Sequence, residues 1–173
     1  MSDGFAHRLR IDQIRDGDRI ELVADDAERA AIADRLRLER LERLEAHAIL
    51  TRNGGSVRAE GRLIASLDQS CVVTGDPVAA HIDEAFEVMF VPAPAVSAPD
   101  EEIELGAADC DTVFHDGATI DLGNAIADSL ALALDPYPRS AAAEAAGREA
   151  GVMSEEQASP FAVLAKLKGG DET

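Results

Sequence analysis

The chain has 173 residues with 34 acidic and 16 basic side chains, a formal net charge of −18, and 46% hydrophobic but only 3% aromatic residues. That length suits one domain with a modest, alanine-rich core. Its two cysteines exclude a disulfide scaffold, and no run approaches the roughly 18 apolar residues of a membrane span.

The opening MSDGFAHRLR has no apolar core of a signal peptide, so a cytoplasmic protein is expected. Residues 5–23 read as extended, with Phe5, His7 and Leu9 alternating and Asp16-Gly17-Asp18 turning the chain before Ile20, Leu22 and Val23. Asp25 and Asp26 open a short helix through about Leu36, rich in alanine. From Arg35 to Leu44 both periods are present, and a helix giving way to a strand near Leu41 is expected.

Leu44, Ala46, Ala48 and Leu50 then alternate with polar residues as in a half-buried strand. Asn53-Gly54-Gly55 predicts a hairpin turn, and Val57, Ala59, Gly61, Leu63, Ala65 and Leu67 return on one face. After Pro77 a third strand places Ala80, Ile82, Glu84, Phe86, Val88 and Phe90 on one side. Three strands joined by short turns make an antiparallel meander. The proline-rich stretch from Pro92 to Pro99 and the acidic Asp100-Glu101-Glu102-Ile103-Glu104 predict a mobile acidic loop. Val113, His115 and the Asp116-Gly117 turn lead onward to the central helix.

That helix is predicted over 121–134. Leu122, Ile126, Leu130 and Leu134 recur every fourth residue and form one apolar stripe. Asp121 is placed to cap its start, and Pro136 and Pro138 forbid its continuation. Residues 139–158 read as a flexible Ala/Gly/Glu linker that can turn transiently helical. Ser159, Pro160 and the apolar Phe161, Leu164 and Leu167, with Lys166 and Lys168 in the last turn, predict a C-terminal helix. So short a helix must dock, either on the chain's own core or on a partner. The expected fold class is α+β. An antiparallel sheet of about five strands is covered by the central helix, with an acidic loop and a tethered C-terminal helix. The domain occupies 1–138, the linker 139–158 and the docking helix and tail 159–173.

Catalytic signatures are wanting. Asn53-Gly54-Gly55-Ser56 lacks the lysine of a phosphate loop, and no Gly-x-Ser-x-Gly elbow occurs. A Cys71 nucleophile served by His81 or His115 has no distinguishing spacing. A metal set drawn from Cys71, His81, Cys110 and His115 matches no common zinc pattern. No enzyme activity, cofactor, metal or small-molecule substrate is expected, and Cys71 reads as a small residue packed at a strand end.

Five segments occur in the order of one known family: Cys71-Val72-Val73-Thr74-Gly75-Asp76-Pro77-Val78, the strand after it, Ile120-Asp121-Leu122 opening a Leu/Ala helix, Pro136-Tyr137-Pro138-Arg139, and Ser159-Pro160-Phe161 through Leu164, Leu167 and Lys168. From about Leu44 to Lys168 the chain resembles the YceD-like proteins. The resemblance implies a part in ribosome biogenesis, in accumulation of large-subunit (23S) ribosomal RNA. Many relatives carry Cys-x-x-Cys where this chain has Cys71-Val72-Val73-Thr74. They carry further cysteines where Arg139-Ser140-Ala141 stands here, so the resemblance does not bring a zinc site with it.

Charge divides the possible partners. Residues 1–62 hold 12 Arg against 13 acidic residues, whereas residues 63–138 hold 15 acidic residues and no Lys or Arg. The acidic middle suits a basic ribosomal protein or assembly factor. Asp100, Glu101, Glu102 and Glu104 are the candidate charges, and Phe161, Leu164 and Leu167 the candidate anchors. The alternative is direct binding of large-subunit ribosomal RNA by Arg35, Arg37, Arg40, Arg43, Arg58 and Arg62, since the arginine fork binds phosphate bidentately. Interleaved glutamates and the want of an exposed aromatic platform count against it.

Overall fold

The structure, a computed structural model, describes residues 5–93 and 111–149. The described residues fall into two compact units, one of residues 5–69, 79–93 and 111–136, the other of 70–78 and 137–149.

In the first unit, strand β1 (Arg8–Arg10) is followed by a single 3-10 turn and by β2 (Asp18–Val23). Helix α1 (Asp26–Leu36) begins with a reciprocal cap, in which the Asp25 carboxylate accepts from Glu28 N–H and the Glu28 carboxylate from Asp25 N–H. That exchange satisfies two donors of the open first turn. The ambiguity between Arg35 and Leu44 resolves as expected: α1 ends at Leu36 and strand β3 (Arg40–Asn53) follows.

Strands β3, β4 (Ser56–Ser70) and β5 (Pro77–Pro92) form the meander. Asn53 faces Ser56 across the turn, where Gly54 takes a φ of +61° that a side chain would disfavour. Leu44, Ala46, Ala48, Leu50, Val57, Ala59, Leu63, Ala65 and Leu67 are buried, as the period-two pattern requires. Ile82, Phe86, Val88 and Phe90 continue that inner face on β5.

The sheet is mixed, and here the expectation of a purely antiparallel sheet is corrected. Its order is β2-β3-β4-β5-β6, and β6 (Thr112–His115) lies parallel to β5, Met89 opposite Thr112 and Pro92 opposite His115. A tight hairpin forces antiparallel pairing, but the long connection after β5 lets the chain return to the starting end. Strand β7 (Thr119–Asp121) leaves the sheet to pair with β1 in a separate two-stranded ribbon.

Helix α2 (Leu122–Ala133) stands where the sequence places it. The Asp121 carboxylate accepts from Asn124 N–H at 3.1 Å and from His7 N–H at 3.1 Å, which ties the helix start to the N-terminal segment. Leu122, Ile126 and Leu130 are fully buried in the same core as the sheet's inner face and Ile32 of α1. In the second unit, α3 (Ala141–Glu149) lies within the stretch read as a linker. The helix expected over 159–168 and the acidic loop from residue 94 to 104 lie outside the described residues.

Candidate functional site

The six arginines proposed for RNA are all exposed, but the fold commits five of them to carboxylates. Arg58 and Arg62 alternate outward on β4 and meet acidic residues on β5. Arg58 makes a bidentate pair with Glu87 at 3.0 and 2.9 Å and also reaches Glu60, and Arg62 pairs with Asp83. On β3 the pairs are local, Arg40 with Glu42 and Arg43 with Glu45, because residues two apart on a strand share a face. Arg35 of α1 bonds Asp128 of α2 at 3.1 Å. Arg37 closes α1 in a left-handed backbone conformation.

These pairs shift titration in the direction of mutual satisfaction. Hydrogen bonds from Arg58, Arg62 and Arg43 hold the carboxyls of Glu87, Asp83 and Glu45 below their ordinary range. The arginines are raised by the same contacts. A phosphate backbone would have to displace each carboxylate before it gained the fork. The outer face of the sheet is therefore a lattice of opposite charges rather than a basic patch.

The second unit holds a tight corner around Cys71. Directly after β4, Cys71 N–H donates to Asp76 carbonyl at 2.8 Å, and Gly75 N–H returns to the Cys71 carbonyl at 2.9 Å. Val72 N–H reaches the Pro138 carbonyl, and Ser140 N–H donates to the Cys71 sulfur at 3.3 Å. The Thr74 and Ser140 hydroxyl oxygens lie 3.3 Å apart, and Ser140 accepts from Ala143 N–H at the start of α3. The fold thus gathers Cys71, Thr74 and Ser140, positions where the resemblance leads one to look for paired thiolates, and two of the three are hydroxyls.

Cys71 is buried. Its thiol is drawn down to about 6, chiefly by the Thr74 hydroxyl and then, against the opposing effect of burial, by the N–H groups of Ser140, Thr74 and Val73. Hydrogen bonds of this kind favour the thiolate. Among the described residues no group of three or more His, Cys, Asp or Glu side chains is arranged to hold a metal ion. His81 lies against the Ser66 hydroxyl at 3.3 Å, and buried His115 spans the Gly55 carbonyl and Gly117 N–H. Cys110 lies outside the described residues, as do Asp100, Glu101, Glu102, Glu104, Phe161, Leu164 and Leu167.

Sequence reasoning missed the exposed apolar residues beside α2. Leu132 is 81% exposed, and Val113 and Phe114 stand out from β6. A leucine off the helical stripe was the available signal for the first. Nothing in the sequence distinguished Phe114 from a core residue. Among the described residues no helix is long and apolar enough to cross a membrane.

A family model described as large ribosomal RNA subunit accumulation protein YceD matches residues 59–168. No curated protein and no solved structure matches the chain. The match spans most of the chain, which therefore belongs to the YceD family, a family tied by its description to ribosome biogenesis through accumulation of large-subunit ribosomal RNA.

Proposed function

We propose that this YceD-family chain supports accumulation of the large ribosomal RNA subunit by binding a basic ribosomal protein or assembly factor in the cytoplasm, without catalysing a reaction. The observation that carries this reading is the neutralisation of the arginines: five of the six RNA candidates hold carboxylate partners. Residues 63–138, in contrast, contribute 15 acidic side chains and no Lys or Arg. A field of that sign repels phosphate and speeds encounter with a cationic protein. Asp100, Glu101, Glu102 and Glu104 are four of these 15 acidic residues, and Phe161, Leu164 and Leu167 supply apolar anchors.

The test is capture of partners by the tagged full chain from its own cytoplasm at low and moderate salt, with and without nuclease. A basic ribosomal protein or assembly factor retained after nuclease supports the reading. Large-subunit RNA retained after bound proteins are stripped away refutes it in favour of direct RNA contact.

A further inference from the structure

Two clefts line the same flank of α2. The first, about 480 Å³, lies at the C-terminal end of the helix between Leu63, Phe86, Leu132 and Ala133, with Glu84 and Asp111 at its rim. The second, about 550 Å³, lies toward the helix start among Phe90, Val113, Phe114 and Ala125, with Asp116 and Asp128 beside them. Ala125, Asp128 and Leu132 follow at helical spacing, so one face of α2 forms a wall of both. Together the clefts follow the 12 residues of α2, a length of about 18 Å.

Exposed apolar side chains stand in both clefts among polar and acidic ones. Leu132 is 81% exposed, Phe114 55% and Val113 39%, side chains whose burial would favour association. Asp128 is answered by Arg35, Asp121 by Arg8 and Glu87 by Arg58. Glu84, Asp111 and Asp116 form no salt bridge with a described residue, although the charge of Arg62 reaches Glu84. Asp116 accepts from Ala118 and Thr119 N–H, which hold its carboxyl below the ordinary range. The last turn of α2 carries no basic residue, so the negative end of its dipole adds to the field.

We propose that this groove is the seat of the basic partner, an inference that rests on the function proposed above. The occupant is an amphipathic segment of a cationic protein. Its apolar side chains cover Val113, Phe114 and Leu132, and its Lys or Arg side chains meet Glu84, Asp111 and Asp116. Charge selects it: RNA would bring phosphate against the rim, and a second copy of this chain would bring a molecule of charge −18.

The test titrates the full chain into a labelled peptide of about 12 residues, long enough as a helix to span the groove, with a leucine face and lysines and arginines elsewhere, followed by anisotropy at about 50 and 150 mM salt. Glu84→Gln with Asp111→Asn should weaken binding about tenfold, and Leu132→Ser about threefold or more. Arg58→Ser with Arg62→Ser should leave it unweakened. All these positions are exposed, and unchanged circular dichroism verifies the fold. Equal binding of an unpatterned lysine oligomer overturns the groove, since charge alone would then suffice. So does a dimer that Leu132→Ser dissociates, which would assign the face to a second copy. Loss of binding on neutralising Asp100, Glu101, Glu102 and Glu104, with the groove variants unaffected, overturns the groove but leaves a basic partner standing. Failure of the unaltered chain to bind either peptide overturns both.

Discussion

Gly123→Ala separates two physical effects of opposite sign. Gly123 is the second residue of α2, and intrinsic helix propensity favours alanine there by up to about 1 kcal/mol. The fold opposes it, because an added Cβ would lie 2.1 Å from the Phe5 carbonyl oxygen and 2.8 Å from the His7 nitrogen. An ordinary carbon–oxygen contact is about 3.3 Å, so the N-terminal segment must withdraw by about 1 Å. That segment is held by His7 N–H to Asp121 and by Leu122 N–H to the His7 carbonyl at 3.0 Å, with Phe5 buried in the core. Losing both hydrogen bonds costs about 1–3 kcal/mol, and overpacking typically costs a further 1–3 kcal/mol. Set against the propensity gain, the net loss should be about 1–5 kcal/mol. With no tryptophan in the chain, urea unfolding is best followed by far-ultraviolet circular dichroism, with amide exchange at His7 and Leu122 as a local readout. A variant as stable as the parent, with both amides still protected, would refute the close approach.

Ile126→Ala removes a fully buried side chain and should cost about 2–5 kcal/mol in the same unfolding assay; a loss near zero would mean that α2 does not pack on the sheet. In a Cys110→Ser background, thiolate absorbance near 240 nm should titrate with a midpoint near pH 6, against an ordinary thiol value of 9.0. Thr74→Val should raise that midpoint, and an unchanged one would remove Thr74 as the main cause. Because folding lowers this pKa, its contribution to stability is complete above the ordinary thiol value and is lost as pH falls through about 6. Arg58→Ser with Arg62→Ser should leave capture of ribosomal components intact, since both arginines are already committed to carboxylates; loss of RNA from the captured material would restore the RNA reading.

What was legible in the sequence was what local periodicity carries. Leu122, Ile126 and Leu130 with a capping aspartate specify a helix and its buried face without reference to any partner. Asn53-Gly54-Gly55 between two period-two runs specifies a hairpin and its register. The orientation of β6 was not legible, because four residues carry no directional signal and the connection before them is long enough for either sense. The β1–β7 ribbon was equally hidden: each strand has three residues, and its partner lies over a hundred positions away. The candidate arginines were visible as a composition, but the partners that neutralise Arg58 and Arg62 are 29 and 21 residues distant and meet them only once β4 and β5 pair. The same holds for the groove. Glu84, Asp111 and Asp116 share no motif, and parallel pairing of β5 and β6 brings them to one flank of α2.

Charge connects these findings to function. A chain at −18 incurs self-repulsion when folded, and a purely solubilising surface would spread that charge evenly. Here several arginines pair with acids on the outer face of the sheet and beside α2, while Glu84, Asp111 and Asp116 form no salt bridge with a described residue and stand near exposed Phe114 and Leu132. Concentrating uncompensated charge next to apolar surface costs the isolated protein twice, in repulsion and in hydration of the apolar side chains. Both costs fall when a cationic amphipathic segment occupies the groove, and neither falls on contact with phosphate. High salt should therefore slow the encounter with such a partner while leaving the apolar part of the contact in place, whereas an RNA contact would lose affinity in proportion to the phosphates it neutralised.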